Sequence, residues 1–491
     1  MTLQESTDFF SKPRHKDLIL IFEAIDDTHI LINDEATTLN NGYNFFSIPD
    51  DVAPFATEIV FTFTRHTRNG TQTINVSKSV DDLGTYNGYG ILNATRLDIY
   101  SEDGKIMRLW CGISENRDIL CLLVDSTDPH GMYYDISYLS AWSKQDEFVL
   151  GNENIVKESL SIESSLCASD EELHFGRCEA TSLSLTIALD PDVKIKNRWF
   201  RAQLMVDAPD TYLVDDDGNR IVDSDGNYIV SYKNGNVEPF ELGRFKVFSD
   251  KPRADRITRD IVCYDIFYDI NNTNVRPWID GLSLPMNFKN IRDSFFNYLG
   301  ITQVETELIN DTITFGSLQV GDEAIVSGQS VIESICEING AFGRINDDGE
   351  FEYYYINSNL PVEYPFYVDD SGAYEDYVTD FITGIQSFKA DGSIRSSVGS
   401  TINAYKIQNN LFPVGSLGLK KLFDLIRGIS YRPFNISTFG NPVLPVGTWV
   451  TFNTKNKTIT SLVMSKTLNG IQSMRDNIEA YGEKRLRELE I

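Results

Sequence analysis

Histidine and cysteine are scarce in this sequence, with five His and six Cys in 491 residues. Cys111, Cys121, Cys167, Cys178, Cys263 and Cys336 are too sparse for a disulfide scaffold. They read as buried, reduced thiols of a protein made in a cytosol. His15, His29, His66, His130 and His174 form no His-Glu-x-x-His zinc motif. No Gly-x-Ser-x-Gly elbow and no phosphate-cradling glycine loop occurs. Long apolar runs are missing too. The longest obvious one, Ile119–Val124, falls far short of the roughly 18–20 residues that span a bilayer. Lys12, Arg14 and Lys16 precede Leu18–Phe22 in the outline of a secretion signal. The apolar part is short and Glu23 ends it, so it reads as a strand. Basic residues are the last deficit: 43 Lys and Arg face 72 Asp and Glu, a formal charge of -29. That balance argues against a general nucleic-acid binder, which needs a basic footprint, and against an anionic membrane surface. It suits a surface on which DNA must not be held.

What is present is globular. The length implies three or four domains, and hydrophobic (41%), aromatic (12%) and charged (23%) fractions argue against extended disorder. The 23 Tyr and 29 Phe beside 7 Met favour β structure. Up to about residue 150, short strands alternate with polar turns: Asp17–Ile25, Glu58–Thr64 and Arg96–Trp110, the last holding a hairpin turn at Glu102–Gly104. No amphipathic helix stands out there. Gly151–Asn154 is a polar break. Strands follow at Glu158–Ile162, Ser182–Ala188, Trp199–Val206 and Gly243–Phe248.

Helical periodicity begins after residue 285. Ile291, Phe295, Tyr298 and Leu299 share one face, with Gly300 as the stop. Ser330 and Glu333 make a capping-box pattern ahead of Val331, Ile335 and Ile338, and Gly340 closes that helix. A hairpin follows, Ala341–Ile345 and Phe351–Ile356 around Asp347-Asp348-Gly349. Residues 357–380 read as a connector. The last part holds a helix on Leu419, Leu422, Phe423 and Ile426, then a hairpin from Val446 to Met464. The charged tail Glu479–Ile491 reads as a surface helix or a frayed end.

Four constellations invite a functional reading. The Asp-rich stretch Tyr212–Val230 offers Asp215, Asp217 and Asn219, or Asp223, Asp225 and Asn227, as calcium ligands. Arg220 and Tyr228 stand where a calcium loop needs glycine, so plain hairpin turns fit better. Cys167, His174 and Cys178 lack the usual zinc spacing and a fourth ligand. Arg244, Lys246, Lys251, Arg253, Arg256 and Arg259 form a basic cluster in an acidic chain. It is either a contact for another subunit or partner, or a hairpin surface balanced by the interleaved Asp250, Asp255 and Asp260. Tyr43, Tyr86, Tyr89 and Trp110 are exposed-aromatic candidates for a sugar, against ordinary packing in a sheet. No catalytic residue, metal ligand or cofactor site emerges.

Three ordered stretches carry a family resemblance. They are Leu173–Ile187, preceded by Lys157–Glu163; Leu242–Pro252, running on through Asp260–Asp269; and Ile429–Phe434 with Val446-Gly447 and Gly470–Gly482. The helix and hairpin over Ser330–Ile356 fit as well. From about residue 152 onward the chain resembles the tail hub proteins of bacteriophages. These include the baseplate hub of contractile tails and the N-terminal part of siphophage tail-associated proteins.

The resemblance implies an α+β, mainly β chain. It implies a first tube-like β-barrel domain (151–275, with the Asp-rich hairpin inserted), an α+β middle domain (276–380) and a second barrel domain (381–491) with one helix. Residues 1–150 have no counterpart and read as an added, β-sandwich-like domain. Three copies would form a ring of six barrels that closes the tail tube, anchors tail-tip or receptor-binding proteins and lets DNA pass without specific binding. The implied partners are a distal tail protein or tail-tube hexamer and a tape measure protein. The implied location is the virion, after assembly in the bacterial cytoplasm. The resemblance implies no enzyme and no cofactor. The alternative is a tail-tip peptidoglycan or glycan hydrolase, or a carbohydrate-binding protein, with its activity in residues 1–150.

Overall fold

The computed structural model describes residues 2–483 except 34–36, 40–41, 49–55, 68–69, 94–95, 101–105, 117, 127–133, 146, 168–172, 191–192, 208–210, 213–229, 232–236, 256, 322–324, 347–348, 357–360 and 369–372. The fold is α+β and mainly β. The chain divides into two compact units. The larger holds residues 1–20, 150–189 and 200–491, and the smaller holds 21–149 and 190–199. The first twenty residues thus group with the larger unit, although the sequence places them in a domain spanning 1–150.

A ten-stranded sheet dominates the larger unit. Its strands, numbered along the chain, are β1 (Lys16–Phe22), β2 (Phe148–Leu150), β3 (Ser161–Ser165), β4 (Ser182–Ala188), β5 (Trp199–Asp207), β6 (Val237–Pro252), β7 (Thr258–Tyr264), β8 (Phe434–Phe439), β9 (Ser465–Asn469) and β10 (Arg475–Ala480). Their order is β2-β1-β5-β6-β7-β4-β3-β9-β10-β8. Alternation builds it: Phe200, Ala202, Leu204 and Val206 of β5 are buried on one face, as are Leu18 and Leu20 of β1.

The antiparallel pair β3–β9 runs from Ser161 opposite Asn469 to Ser165 opposite Ser465. This seam joins the strands of 151–275 to those of the last segment. Two separate barrels were expected, and among the described residues no sheet closes into one. Each segment instead covers an open edge of the other, because an unpaired edge exposes a row of unsatisfied backbone groups.

Helices pack over the same unit. They are α1 (Leu3–Phe10), α2 (Ile266–Asn272), α3 (Arg276–Asp280), α4 (Phe288–Leu299), α5 (Gly328–Glu337) and α6 (Ser416–Ile426). Helix α1 escapes the sequence reading because it is short and Phe9 and Phe10 are its main apolar content. Thr2 and Glu5 close a capping box on it, and both phenyl rings meet Phe240. The Gln4 side chain also bonds both backbone groups of Glu363, at 2.8 and 2.9 Å, as a neighbouring strand would.

Gly300 ends α4 in the left-handed region, as expected. Helix α5 starts one turn earlier than the Ser330–Glu333 pattern suggests. Ser327 is its N-cap, accepting from the Ser330 amide at 3.2 Å, while Glu333 turns to Arg177. Gly340 follows with φ +66°, and a Cβ there would lie 2.8 Å from Leu422 of α6. The hairpin Phe342–Ile345 and Phe351–Tyr354 forms as read. The 357–380 connector holds a strand, Val362–Val368, which pairs in parallel with Trp449–Thr454.

The smaller unit contains a five-stranded and a six-stranded sheet. Ile59, Phe61 and Phe63 from the first share a core with Leu109, Ile113, Leu120 and Leu122 from the second. The hairpin turn read at Glu102–Gly104, the Asp-rich turns at 215–227 and most of the charged tail lie outside the described residues.

Candidate functional site

The hairpin of β6 and β7 carries the basic cluster. Its register sets Lys251 opposite Asp260 and Asp250 opposite Ile261. Arg259 is buried and reaches Asp250 at 3.0 Å. Arg253 bonds both oxygens of Asp260, its Nε at 2.8 and 2.9 Å. Its hydrogen bond, followed by that of the Thr186 hydroxyl, holds the Asp260 carboxyl below its ordinary range. Lys246 reaches forward to Asp269 of α2 at 3.0 Å. Arg244 lies on β6 and is half-buried, and Lys251 is exposed. Arg256 lies outside the described residues. The structure therefore brings the described members of the cluster onto one hairpin and matches three of them with carboxylates of the same chain.

Cys167, His174 and Cys178, which the sequence already reads as poor zinc ligands, form no metal group among the described residues. The Cys167 thiol exchanges contacts with the backbone of His174, while Cys178 donates to Gly176 O and accepts from the Gly343 amide. Burial pushes the Cys178 thiol well above its ordinary range, which suits a buried SH group. All six cysteines are free and buried. Among the described residues no group of three or more His, Cys, Asp or Glu is placed to hold a metal ion.

Two polar clusters went unread in the sequence. Beneath the seam, Lys466 of β9 and Asp476 of β10 are both buried, with Nζ 3.6 Å from Oδ2. Lys466 donates to the carbonyls of Asn441 and Leu444, and Asp476 accepts from the Asn441 amide at 2.8 Å. The Asn441 side chain reaches Ser6 and Thr7 of α1 at 3.1 and 3.2 Å. Burial pushes both charges toward neutrality: Asp476 rises to about 6 and Lys466 falls. A signal existed here. Each charge interrupts a period-2 run of buried residues, Met464 to Leu468 and Met474 to Ala480.

The second cluster lines a cavity of about 540 Å³ with Leu173, His174, Asp380, Tyr405, Lys406 and Tyr431 on its walls. Glu337 at the end of α5 accepts from Tyr405 at 3.0 Å and from Asn410 at 2.8 Å, and lies 3.4 Å from His174. Burial, then the Glu337 charge, holds the Tyr405 phenol well above its ordinary range, so it stays a donor. These partners come from three distant segments, so no local motif announces them.

Asp265 caps α2, accepting from the amides of Thr181 and Phe267 at 3.0 Å each. Burial lifts it to about 7 against the pull of those two donors. Of the four aromatic candidates, Tyr43 and Tyr89 are exposed, while Tyr86 and Trp110 are half-buried; all four are in the smaller unit.

No family model matches the chain, and no curated protein does. Solved structures do align with it. The 43 kDa tail protein of prophage MuSo2 from Shewanella oneidensis is 11% identical, covers 68% of this chain and 93% of its own, and has a TM-score of 0.36. A tail protein from Neisseria meningitidis MC58 is 10% identical over 66% of this chain and 92% of its own, with a TM-score of 0.35. The phage P2 baseplate in its activated conformation with Ca is 11% identical, over 70% and 93%, with a TM-score of 0.25.

Proposed function

We propose that this chain is a structural, non-catalytic hub protein of a phage-type tail baseplate. Three copies form a ring that closes the tail tube, anchors tail-tip or receptor-binding proteins and lets DNA pass. The observation that carries this is the continuous sheet. The strand segments on either side of the helical middle join at the β3–β9 seam, and the sheet ends in edge strands β2, which precedes them in the chain, and β8. A sheet that holds both strand segments and ends in edge strands is suited to continue from copy to copy around a ring.

Edge strand β8 supports the idea. Among the described residues, its outer backbone edge meets Ala373 and Tyr374 near Phe434 and Asn435. Further along, the Thr438 hydroxyl is buried without a hydrogen-bond partner among the described residues. The net charge of -29 suits a passage that must not hold DNA. The exposed end of the β6–β7 hairpin, at Lys251 and the Arg253–Asp260 pair, is our candidate for the contact with a neighbouring subunit or with a distal tail protein. The ring would act in the virion after assembly in the host cytoplasm.

Native mass across a concentration series, with negative-stain images of the largest species, tests the proposal. Three copies in an open ring are expected, and Lys251→Glu should weaken the assembly without changing the melting temperature. A monomer that stays monomeric at high concentration, with tail-tube and distal tail proteins present, would overturn it.

A further inference from the structure

Helix α1 closes an edge of the larger unit in the way a strand would. Val362–Val368 is the end strand of a three-stranded sheet and pairs with Trp449–Thr454 on one side. On its other side the backbone of Glu363 is met by the carboxamide of Gln4. The Glu363 amide donates to Gln4 Oε1 at 2.8 Å, and Gln4 Nε2 donates to the Glu363 carbonyl at 2.9 Å. A carboxamide carries the same donor and acceptor as a peptide group, so this two-bond ring reproduces one residue of a neighbouring strand. Gln4 Nε2 also reaches Asp8, one turn on, at 3.3 Å, which steadies the carboxamide in that pose. Two residues past Glu363, Pro365 brings no N–H to the strand. A covering element and a proline are both devices that blunt an edge.

The helix that carries Gln4 is held lightly. Eight residues are too few for an α-helix to stand alone in water, so α1 persists only while docked. Its buried face is Ser6, Thr7, Phe9 and Phe10. The two phenyl rings meet Phe240, with centroids 5.6 and 4.9 Å away. The two hydroxyls accept from the Asn441 side chain. Neutral bonds of this kind add little on balance, because water offers the same partners when the helix leaves. Leu3, in the first turn, is half-buried on a cavity of about 760 Å³ that Phe240, Val443, Leu444 and Lys466 also line. An unfilled cavity gives its lining no atoms to pack against, so this flank contributes little more. Undocking and unwinding of α1 are therefore one event, and that event frees the Glu363 backbone.

We propose that α1 is a detachable guard: docked, it closes the Val362–Val368 edge through Gln4, and undocked, it leaves that edge to pair with the same strand of a second copy. Like edges are self-complementary, because two antiparallel strands related by a two-fold axis exchange the same pair of bonds. In a solution of this chain the identical edge is present at the concentration of the protein itself, which makes a second copy the occupant. The contact is thus autoinhibitory, since α1 holds back an association that the bare edge would make. This inference does not rest on the hub reading, whose candidate contacts are β2, β8 and the β6–β7 hairpin.

The test compares the full chain with Gln4→Ala, Phe10→Ser and Phe10→Ser/Glu363→Pro, by hydrogen exchange and by native mass over a concentration series. Gln4→Ala removes the bonded carboxamide and leaves the rings of α1 in place. The fold should be kept while the Glu363 amide exchanges about tenfold faster or more. Phe10→Ser undocks the helix, so it should exchange as fast at Glu363 and add a heavier, concentration-dependent species that the wild type lacks. Glu363→Pro deletes the N–H that a second strand would use, on the side away from Trp449–Thr454, so the double variant should lose that species. Unchanged exchange at Glu363 in both Gln4→Ala and Phe10→Ser would overturn the proposal. So would the absence of a new species in Phe10→Ser. Its persistence in the double variant would overturn it as well, by placing the association on the uncovered phenyl ring.

Discussion

Replacing Lys466 with Met should unfold the larger unit at lower denaturant, and acid should partly rescue it. The perturbation removes the buried cation beneath the β3–β9 seam. Asp476 is then left with the Asn441 amide as its donor, and the carbonyls of Asn441 and Leu444 lose theirs. Breaking a buried pair by removing one partner costs about 3–5 kcal/mol, because the remaining charge has been taken out of water without compensation. With an m-value of about 3 kcal/mol/M or more in urea, the midpoint at pH 7.5 should fall by about 1 M. The sign of the pH effect follows from Asp476. Its folded value, about 6, lies above the unfolded one, so between pH 6 and 4 the folded state holds more protons and gains stability as pH falls. In Lys466→Met the cation that pulls this value down is gone, so protonation begins at higher pH and the deficit shrinks by pH 5. Urea unfolding followed by tryptophan fluorescence at both pH values measures this. A loss under about 1 kcal/mol at pH 7.5, or one that does not shrink at pH 5, would refute the reasoning. So would a Lys466→Met/Asp476→Leu double variant as unstable as the single, since removing both charges should restore most of the stability.

Asp265→Asn should keep the bond from the Phe267 amide that caps α2 but lose the one from the Thr181 amide, because Asn offers one acceptor oxygen where Asp265 uses two. Burial lifts Asp265 to about 7, so its share of the stability increases as pH falls from about 7 toward 4. The variant should show a flatter profile of urea midpoint against pH. Gly340→Ala should cost about 1–3 kcal/mol, from the left-handed backbone and from the collision with Leu422, and a lower melting temperature would report it. Arg259→Ala should destabilise, because it leaves the half-buried Asp250 without the cation that reaches it, whereas Lys251→Ala on the same hairpin should leave the melting temperature within a degree or two.

Elements with a clear local period were legible in the sequence. The Ser182–Ala188 strand and the helices ending at Gly300 and Ile426 lie where the spacing puts them, because apolar periodicity and a left-handed glycine stop are local features. Helix α1 was not legible. Its eight residues hold too little apolar pattern, and its place depends on Phe240 and Glu363, more than two hundred residues away. The junction of the two strand segments was hidden for a similar reason. The alternation in Ser161–Ser165 and Ser465–Asn469 shows two faces but does not name the neighbour that takes each edge.

The candidate sites divide along the same line. The basic cluster was visible as a string of cations, and the carboxylates that answer it were visible between them. Register decides which cations remain outward, and register is tertiary. Lys251 stays exposed opposite Asp260, while Arg259 turns inward to Asp250. Ion pairing inside the chain also explains how a strongly acidic protein keeps a compact interior. Arg292, almost fully buried, holds Asp311 through two bonds of 2.9 Å, and Lys466 holds Asp476. Each such pair takes one cation from a pool of 43 that already falls 29 short of the acids. Each pair removes one acid as well, so the excess of 29 acids is left to the rest of the chain. The surface that results carries the excess of 29 acids, and a passage built from it would repel DNA more strongly at low salt than at high.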